Sequence, residues 1–589
     1  MKRSSLILIS LVVLATMVAS CAAPTESPEA AKLAEPTKAP EPTMPPAPTV
    51  APTVAPTKAP EPTQPPAPAA TAATVPSKRD GDIVMIGMHQ KLEFLNVLYT
   101  QGGNSLSAAK MAQRGLLFLD KDSNWIGELA AEVPSTKNGL VTADGKKITF
   151  KLRKGITWHD GKPVTSADVK ATWEMIMDEN NTVITRFGYN KIGSIDTPDE
   201  LTAVVNFKDQ FASWPILFDA IIPKHIIDAN KSNLDKSEAM RQPIGFGPYK
   251  ITEWKAGDYV RYEAFDNFYL GKPKISQIVI KFYPSVDALM LAITAKEVDM
   301  GWSMPISNVP QLKKLESQGI LLIKADSPGT ERYHMNPAVP VFQDINVRKA
   351  IWHAVDKKTL VKTLLFDLTV PGASEWSGSP WANTNLVDFE YDLTKCQSML
   401  DTAGWKPGSD GVRVKDGQRL SFSHSTTSGN LSRENMQLAI RQMLKACGVE
   451  MMIANKPSTE LFGGWTQNGT WSQGTYEMGG WGHGLRVPDP EVSSRFLCSQ
   501  IASDKNQSGS QWYRYCNPDL DTLLTAQSKE FDATKRKDMY MKIQETIDGD
   551  AYTNHLYVNI QVYSVRAELK NFYLHTFANF YFNPQEWSW

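Results

Sequence analysis

The sequence lacks an excess of charge of either sign. Its 62 Lys and Arg residues nearly balance 63 Asp and Glu residues, giving a formal net charge of −1. Nucleic-acid binding needs a concentrated basic surface, so no nucleic-acid partner is expected. CxxC, HExxH and clustered His/Cys spacings are missing, which argues against a metal site, and no cofactor is expected. A GxSxG nucleophile motif and paired carboxylates are missing too, so no enzyme is predicted.

Cysteine is scarce, with five residues in the chain. Four of them lie in the body, and an even number in an exported chain permits two bridges. Cys498 and Cys516 flank a polar, Gly/Ser-rich loop and are predicted to pair. Cys396 and Cys447 lie on the apolar faces of predicted helices, where buried free thiols are at least as strongly expected as a bridge.

Long apolar runs are confined to the N-terminus. Lys2 and Arg3 precede an apolar run from Leu6 to Val18, too short for a membrane-spanning helix, which needs roughly 20 residues. The run ends in Val-Ala-Ser before Cys21, which resembles a bacterial lipobox. Residues 1–21 are therefore predicted to be a lipoprotein signal peptide, with Cys21 lipidated at the outer face of the cytoplasmic membrane. The alternative is ordinary secretion with an unrelated cysteine.

Residues 22–79 consist mainly of Pro, Thr, Ala and Glu, and the segment at Pro36–Pro48 returns almost unchanged at Pro56–Pro68. Such a composition buries too little apolar surface to offset its ordering entropy. Proline favours an extended chain of about 3.1 Å per residue. We expect a disordered, semi-rigid stalk that tethers a globular body.

The body alternates strand and helix patterns, which predicts an α/β fold. Period-2 alternation predicts strands at Lys146–Leu152, Leu201–Phe207, Asp258–Phe265 and Ile275–Tyr283. Helical stripes begin near Thr165, Val286, Val347, Met436, Asn517 and Ala533. These stripes indicate core packing and carry no information on function.

Six segments of the body, taken in order, carry a more specific pattern: FKLRKGITWHDGKPVTSADVKATWEMI at Phe150–Ile176, GFGPYKI at Gly245–Ile251, the segment Phe265–Met300, FQDINVRKAIWHAVDKKTL at Phe342–Leu360, YDLTKCQSMLDTAGW at Tyr391–Trp405 and NPDLDTLL at Asn517–Leu524. In this order they resemble the solute-binding proteins of peptide-type ABC importers, the bacterial extracellular solute-binding protein family 5. His159-Asp160, a tempting acid/base pair, lies in a family-like turn, where a structural role is expected.

The resemblance implies a periplasmic-binding-protein-like clam-shell of two lobes. Lobe I would comprise residues 80–121, 242–331 and 555–589, with a small extra domain at 122–241. Lobe II would comprise residues 332–554. The expected partners are a small ligand and the permease subunits of an ABC importer, and the protein is expected to be a monomer.

The resemblance also implies where the ligand binds. The family's dipeptide binders carry an aspartate shortly after a cleft tryptophan, which captures the peptide α-ammonium. In this chain no acid lies between Trp481 and Asp489, so that mode of capture is in doubt. The Asp489-Pro490 dipeptide looks like a structural turn. The candidate ligand-binding residues are Trp481, His483, Arg486, Trp465, Trp471, Phe94 and Asn96.

Peptide import is the leading functional prediction, because peptides are the usual substrates of the family. Oligosaccharide import is the alternative, since tryptophans in polar loops suit sugar rings as well as peptide side chains. A stalked sensory or adhesive lipoprotein is an alternative of another class.

Overall fold

The computed structural model describes residues 82–90, 92, 94–100, 103–238, 242–386, 389–485 and 488–589. Cys21, the stalk at residues 22–79 and Arg486 therefore lie outside the described residues. All described residues belong to one compact unit, Pro76–Trp589. Within the described part of the chain, no helix is long and apolar enough to cross a membrane.

The described residues form eighteen strands: β1 Ile83–Met88, β2 Leu117–Leu119, β3 Trp125–Gly127, β4 Lys147–Lys151, β5 Ile192–Asp199, β6 Thr202–Phe207, β7 Tyr249–Lys255, β8 Tyr259–Ala264, β9 Gln277–Phe282, β10 Met300–Gly301, β11 Ile320–Met335, β12 Lys406–Pro407, β13 Arg413–Lys415, β14 Gln418–Arg419, β15 Ser421–Ser425, β16 Glu450–Ile453, β17 Met478–Gly484 and β18 Thr553–Arg566. All four strands predicted from alternation are confirmed, as β4, β6, β8 and β9.

They also form fourteen α-helices: α1 Gly103–Ala109, α2 Ser166–Met177, α3 Lys224–Asn230, α4 Val286–Thr294, α5 Val309–Leu315, α6 Ile345–His353, α7 Lys357–Leu364, α8 Leu393–Thr402, α9 Leu431–Ala446, α10 Ser458–Leu461, α11 Thr470–Gln473, α12 Ser493–Phe496, α13 Pro518–Gln527 and α14 Ala533–Gly549. The six helices predicted from apolar stripes are confirmed as α2, α4, α6, α9, α13 and α14. Their starts are fixed by capping side chains: the Asp168 carboxylate accepts from the backbone N–H of Thr165 at 2.7 Å, and Asn517 accepts from the first turn of α13.

A ten-stranded mixed sheet runs through the unit in the order β16-β15-β17-β11-β18-β10-β1-β9-β8-β7. Its centre is the long antiparallel pair β11 and β18, whose register shifts between Asp326 and Thr330. On one side β1 lies parallel to β9 and β10, and on the other β15 lies parallel to β16 and β17. The two central strands therefore connect two halves built from different parts of the chain.

The described residues form six apolar clusters, and the four largest are named cores A to D. Core A is built within residues 116–246 around Trp158 and the separate sheet β4-β6-β5. Core B joins β1, β8 and β9 to the C-terminal residues up to Trp587. Core C lies among α6, α8, α9 and β15, and core D packs aromatic residues between Trp376 and Ile547. Each core buries the apolar stripe or face that its own elements present.

Both cysteine pairs of the body are bridged. Cys498 and Cys516, whose pairing was predicted, form a disulfide with their α carbons 4.8 Å apart. For Cys396 and Cys447 the sequence leaves free thiols and a bridge open, and these residues also form a disulfide, with α carbons 6.3 Å apart. Cys396 of α8 and Cys447, which follows α9, are both buried in core C, and the Gln397 side chain of α8 donates to the backbone carbonyl of Ala446 at 3.1 Å, so the two sulfurs come into range.

Candidate ligand-binding site

A cavity of about 350 Å³ lies where cores A, B and D meet. Tyr189 and Leu217 reach it from core A, Tyr581 from core B, and Trp481 and Tyr513 from core D. Three separately packed parts of the chain therefore enclose one volume. The volume lies in the lower part of the roughly 300–1,000 Å³ range of small-molecule sites.

Aromatic rings make up much of the cavity wall. Besides the four rings already named, it contains Phe118, Trp125, Phe187, Trp512 and Phe577. A buried aromatic side chain removes about 150–250 Å² from water, so these rings offer a large apolar surface to a ligand. The wall suits a ligand with apolar or ring-bearing groups.

The glycine-rich strand β17 places Trp481 at this wall. It pairs with β11 so that Trp481 lies opposite Arg332. A Cβ atom on the neighbouring Gly480 would lie 2.7 Å from the Nε2 atom of the buried His424 ring. Glycine is therefore required for β17 to approach its neighbours this closely.

The indole of Trp481 is 1% exposed and packs between two other rings. Its centroid lies 4.9 Å from that of Trp471 and 5.5 Å from that of Tyr513. The indole N–H has no hydrogen-bond partner among the described residues. An unsatisfied buried donor of this kind costs about 1–3 kcal/mol.

A charged cluster lies directly behind the rings of Trp481 and Tyr513. The Glu375 carboxylate, 1% exposed, accepts hydrogen bonds from Arg332 and from Arg495, the latter at 2.5 Å. The hydroxyl of Tyr513 donates to the same carboxylate at 3.3 Å. Arg495 lines the cavity, whereas Arg332 is fully buried, with its guanidinium carbon 5.9 Å from the centroid of the Trp481 ring.

The cavity wall also contains an ion pair. The Lys110 ammonium, in a side chain that is 3% exposed, donates to the carboxylate and to the backbone carbonyl of Asp219. Burial lowers the pKa of Lys110, against the opposing attraction of Asp219. The two charges balance each other, so this part of the cavity carries no net charge.

A buried polar link lies at the rim of the cavity, beside Glu491. The Ser213 hydroxyl, from core A's part of the chain, accepts from Arg536 at 2.5 Å and lies 3.0 Å from the Asp489 carboxylate. Arg536 and Asp489 form an ion pair at 2.8 Å. The same serine oxygen lies 3.3 Å from the Glu491 carboxylate. This link joins residues on two sides of the cavity.

The structure places some of the predicted binding residues at the cavity and others away from it. Trp481 and His483 line the cavity. Trp465 and Trp471 lie outside its lining: the Trp465 indole donates to Asp504 at 3.1 Å, and Trp471 is fully buried in core D. Arg486 lies outside the described residues.

Phe94 and Asn96 also lie outside the cavity lining. Phe94 is 42% exposed, and Asn96 is buried, with its side-chain oxygen accepting from the backbone N–H of Leu98 at 3.1 Å. Asn96 therefore acts as a local turn residue.

Sequence reasoning missed several residues of the wall. Trp512 carries the signal used for the other loop tryptophans, because it lies in the polar loop between Cys498 and Cys516. Arg495 and Lys110 carry no comparable signal, because each lies in or beside a short helix with no motif around it.

The His159-Asp160 pair has a structural role. The backbone N–H of Gly245 donates to Nδ1 of His159 at 3.3 Å, and Nε2 lies 3.0 Å from the carbonyl oxygen of Gly247. Burial lowers the pKa of His159 to about 4, so the ring is neutral at neutral pH. Asp160 lies 2.8 Å from His225. Among the described residues, no group of three or more His, Cys, Asp or Glu side chains could hold a metal ion.

Known proteins share this architecture. The chain is 26% identical over 528 residues to the oligopeptide-binding protein AppA of Bacillus subtilis, covering 87% of this chain and 92% of that protein. It is 28% identical over 488 residues to protein XP55 of Streptomyces lividans, covering 81% of this chain and 84% of that protein. Two solved structures share the fold. AppA of Bacillus subtilis in complex with a nonapeptide matches at a TM-score of 0.75 and 24% identity, covering 86% of this chain and 98% of the other. NikZ of Campylobacter jejuni in complex with Ni(L-His) matches at a TM-score of 0.77 and 22% identity, covering 86% of this chain and 100% of the other.

The chain also matches the sequence model of a protein family. The model of the bacterial extracellular solute-binding proteins, family 5 Middle, matches residues 125–504. That range contains most of cores A and C, about half of core D, and both Trp481 and Arg495 of the cavity wall. The chain belongs to the family 5 bacterial extracellular solute-binding proteins, and its α/β fold is their two-lobed periplasmic-binding-protein fold.

Proposed function

We propose that the chain is the extracellular solute-binding component of an ABC importer, which captures peptides between two lobes and delivers them to the membrane permease. The observation that carries this proposal is the cavity of about 350 Å³ enclosed by three separately packed parts of the chain. The wall is largely aromatic, and the one His-Asp pair that suggested catalysis is held in a turn outside it. The proposal therefore includes no chemical step, cofactor or metal.

The proposed moving parts follow the division predicted from the resemblance. Residues 80–121, 242–331 and 555–589 form lobe I, with the small domain at 122–241, and residues 332–554 form lobe II. Core B supports lobe I, most of core A lies in the small domain, and most of cores C and D lie in lobe II. We propose that the lobes move by bending of β11 and β18 near Arg332–Asn336 and Thr553–Tyr557.

Peptides are proposed as ligands because of the named relatives. AppA of Bacillus subtilis is an oligopeptide-binding protein, and DppA of Helicobacter pylori was solved with the peptide STSA. NikZ, bound to Ni(L-His), has the same fold, so the fold alone does not select the ligand. The selection is proposed to lie in the aromatic wall, which favours apolar peptide side chains.

Oligosaccharides are the competing ligand class. The sequence argument for them rests on tryptophans in polar loops, at positions 376, 381, 465, 471 and 481. Trp376 and Trp471 are buried in core D, and Trp481 alone of these five lines the cavity. Trp125 and Trp512 also line it. Three tryptophans still offer stacking surfaces for sugars, so oligosaccharides belong in every binding screen.

The location and the anchor form part of the proposal. The relatives belong to a family of extracellular solute-binding proteins. We propose that Cys21 is lipidated and that the Pro-rich stalk at residues 22–79 holds a monomeric body within reach of the permease. Mass spectrometry of the membrane-extracted protein would test the anchor, because Cys21→Ser should abolish the lipid and release the protein.

A thermal-shift screen of tri- to hexapeptides against cello-, xylo- and malto-oligosaccharides tests the proposed ligand. A ligand at 100 times its Kd stabilises the folded state by about 2.7 kcal/mol. We expect peptides, recovered intact, to raise the melting temperature, and Trp481→Phe to weaken the effect. Trp465→Phe is the matched control, since Trp465 lies outside the lining. A response to sugars alone would refute peptide binding, and cleaved peptides would refute a purely binding role.

A further inference from the structure

A second pocket, which we call the entry pocket, lies beside the point where the described chain begins. It has a volume of about 480 Å³ and, among the described residues, shares no lining residue with the cavity at Trp481. His159 of the proposed small domain lines it together with residues between Lys250 and Gln277 of the proposed lobe I. The rings of His159 and Phe265 pack there with their centroids 4.9 Å apart. The entry pocket therefore lies where these two parts of the chain meet.

The first described residue, Asp82, is held at the rim of the entry pocket. Its backbone carbonyl accepts from the backbone N–H of Gln277 at 3.1 Å and from the Ser276 hydroxyl at 3.0 Å. Both donor residues line the pocket. The chain that precedes Asp82 therefore starts from this rim.

A row of paired residues leads from β1 across the sheet to the entry pocket. Ile83 pairs with Gln277, which also pairs with Glu263. Glu263 pairs in turn with Lys250. Because neighbouring strands lie about 4.8 Å apart, Lys250 is about 14 Å from Ile83. An extended chain spans at most about 3.6 Å per residue, so the five residues before Asp82 are long enough to reach the whole row.

The charged side chains of the entry pocket form two exposed ion pairs. Lys250 and Glu263 lie 3.7 Å apart, and Lys272 and Asp266 lie 3.0 Å apart. The side chains are between 41% exposed, at Lys250, and 71% exposed, at Asp266. Exposed ion pairs contribute little to stability, so each of these charges can take another partner without a large loss of free energy.

The residues just before Asp82 carry charges that match those of the entry pocket. Residues 77–81, which we call the entry segment, have the sequence Ser-Lys-Arg-Asp-Gly and lie outside the described residues. Between residues 42 and 77 of the sequence, the only charged residues are Lys58 and Glu61. The two adjacent cations Lys78 and Arg79 therefore occur in the part of the sequence that is next to the pocket.

We propose that the entry segment binds in the entry pocket, with Lys78 and Arg79 paired to the carboxylates of Glu263 and Asp266. A segment attached at Asp82 has an effective concentration in the millimolar range, so weak ion pairs are sufficient to hold it. This docking fixes the point at which the chain leaves the body. It is independent of the ligand and goes beyond the proposed function.

Trypsin tests the docking on the full chain, because it cleaves after Lys78 and Arg79 and also after Lys58. The rates at these sites are compared, by mass spectrometry, with those in a synthetic peptide of residues 52–84, which has no pocket. Cleavage of a docked segment follows the population of its undocked form. Two exposed ion pairs correspond to about a tenfold change in an equilibrium. Relative to Lys58, we expect Lys78 and Arg79 to be cut about tenfold more slowly in the full chain than in the peptide.

Two double variants locate the effect. Glu263→Gln/Asp266→Asn removes both carboxylates from the entry pocket and should raise the relative rate at Arg79 to that of the peptide. Glu253→Gln/Asp258→Asn is the matched control, because it removes two exposed carboxylates of the β7–β8 hairpin that lie outside the pocket lining, and it should keep the protection. Circular dichroism and melting temperature would confirm that both variants fold.

Each outcome decides for or against docking. Protection that is lost in Glu263→Gln/Asp266→Asn and at high salt, but kept in the control, supports it, because salt screens exposed charges. Cleavage of the full chain at the relative rate of the peptide overturns it. Protection that survives in Glu263→Gln/Asp266→Asn also overturns it, because the segment would then be shielded by something other than the pocket carboxylates.

Discussion

Replacing Ser213 with alanine should weaken ligand binding and leave the unliganded melting temperature nearly unchanged. The Ser213 hydroxyl accepts from Arg536 at 2.5 Å and lies 3.0 Å from Asp489. The proposed lobe assignment puts Ser213 on one side of the cavity and its partners on the other, so these contacts exist only after closure. Hydrogen bonds to charged groups contribute about 1.5–3 kcal/mol, which corresponds to a change in Kd of about ten- to a hundredfold.

Ser166 offers a matched control for this experiment. Its hydroxyl donates to the backbone carbonyl of Asp199 at 2.6 Å, entirely within the proposed small domain. Ser166→Ala should therefore lower the melting temperature without changing Kd, the reverse of Ser213→Ala. Calorimetric titration gives Kd and scanning calorimetry gives the melting temperature. If Ser213→Ala lowers the melting temperature and leaves Kd unchanged, the link is permanent and does not report closure.

Three further predictions concern stability. The Cys498→Ser/Cys516→Ser variant opens a loop whose ends are 18 residues apart in sequence, and it should lose about 3 kcal/mol of unfolding free energy. Because the loop carries residues of the cavity wall, the variant should also bind its ligand more weakly. An unchanged Kd in calorimetric titration would disprove this second effect. Gly480→Ala places a Cβ atom 2.7 Å from His424 and should lower the free energy of unfolding by about 1–3 kcal/mol in denaturant melts. Gly464 has open space around it, so Gly464→Ala should lower this free energy only a little. Equal losses in the two variants would contradict the packing argument. Burial lowers the pKa of His424 from 6.5 to about 3, so the unfolded chain takes up this proton first as pH falls. The contribution of His424 to the free energy of unfolding is therefore fully present above pH 6.5 and is lost towards pH 3. His424→Gln should flatten the fall in melting temperature between pH 7 and pH 4, and a steeper fall would contradict this argument.

Local signals explain why the secondary structure was predictable. Thr165 with Asp168 marks the start of α2, and Asn517 before Pro518 marks the start of α13, because caps and proline act within one turn of the chain. The Cys396–Cys447 bridge was not predictable in the same way. It depends on how two helices pack across a sequence separation of 51 residues, which periodicity does not encode.

The residues of the candidate cavity wall were predictable only in part, for a related reason. Trp481 and His483 lie on a strand whose pattern resembles the family's cleft loop, and the cavity includes both. Trp471, with similar polar neighbours in sequence, is buried instead, since long-range packing in core D decides which rings face the cavity. In the sequence Arg332 is one charged residue in a long strand, and its buried ion pair with Glu375 beside the Trp481 ring is visible only in the fold.

The energy of closure must be divided between the protein and its ligand. Moving a two-state equilibrium from 1:99 to 99:1 needs about 5.5 kcal/mol. The Ser213 link, at about 1.5–3 kcal/mol, is too weak to close the cavity alone. If it were stronger, the cavity would be shut before a ligand could enter, and binding would be slow. In the proposed closure, ligand contacts with lobe II residues such as Trp481 and with small-domain residues such as Tyr189 supply the remainder, because only contacts made to both sides distinguish the closed form from the open one.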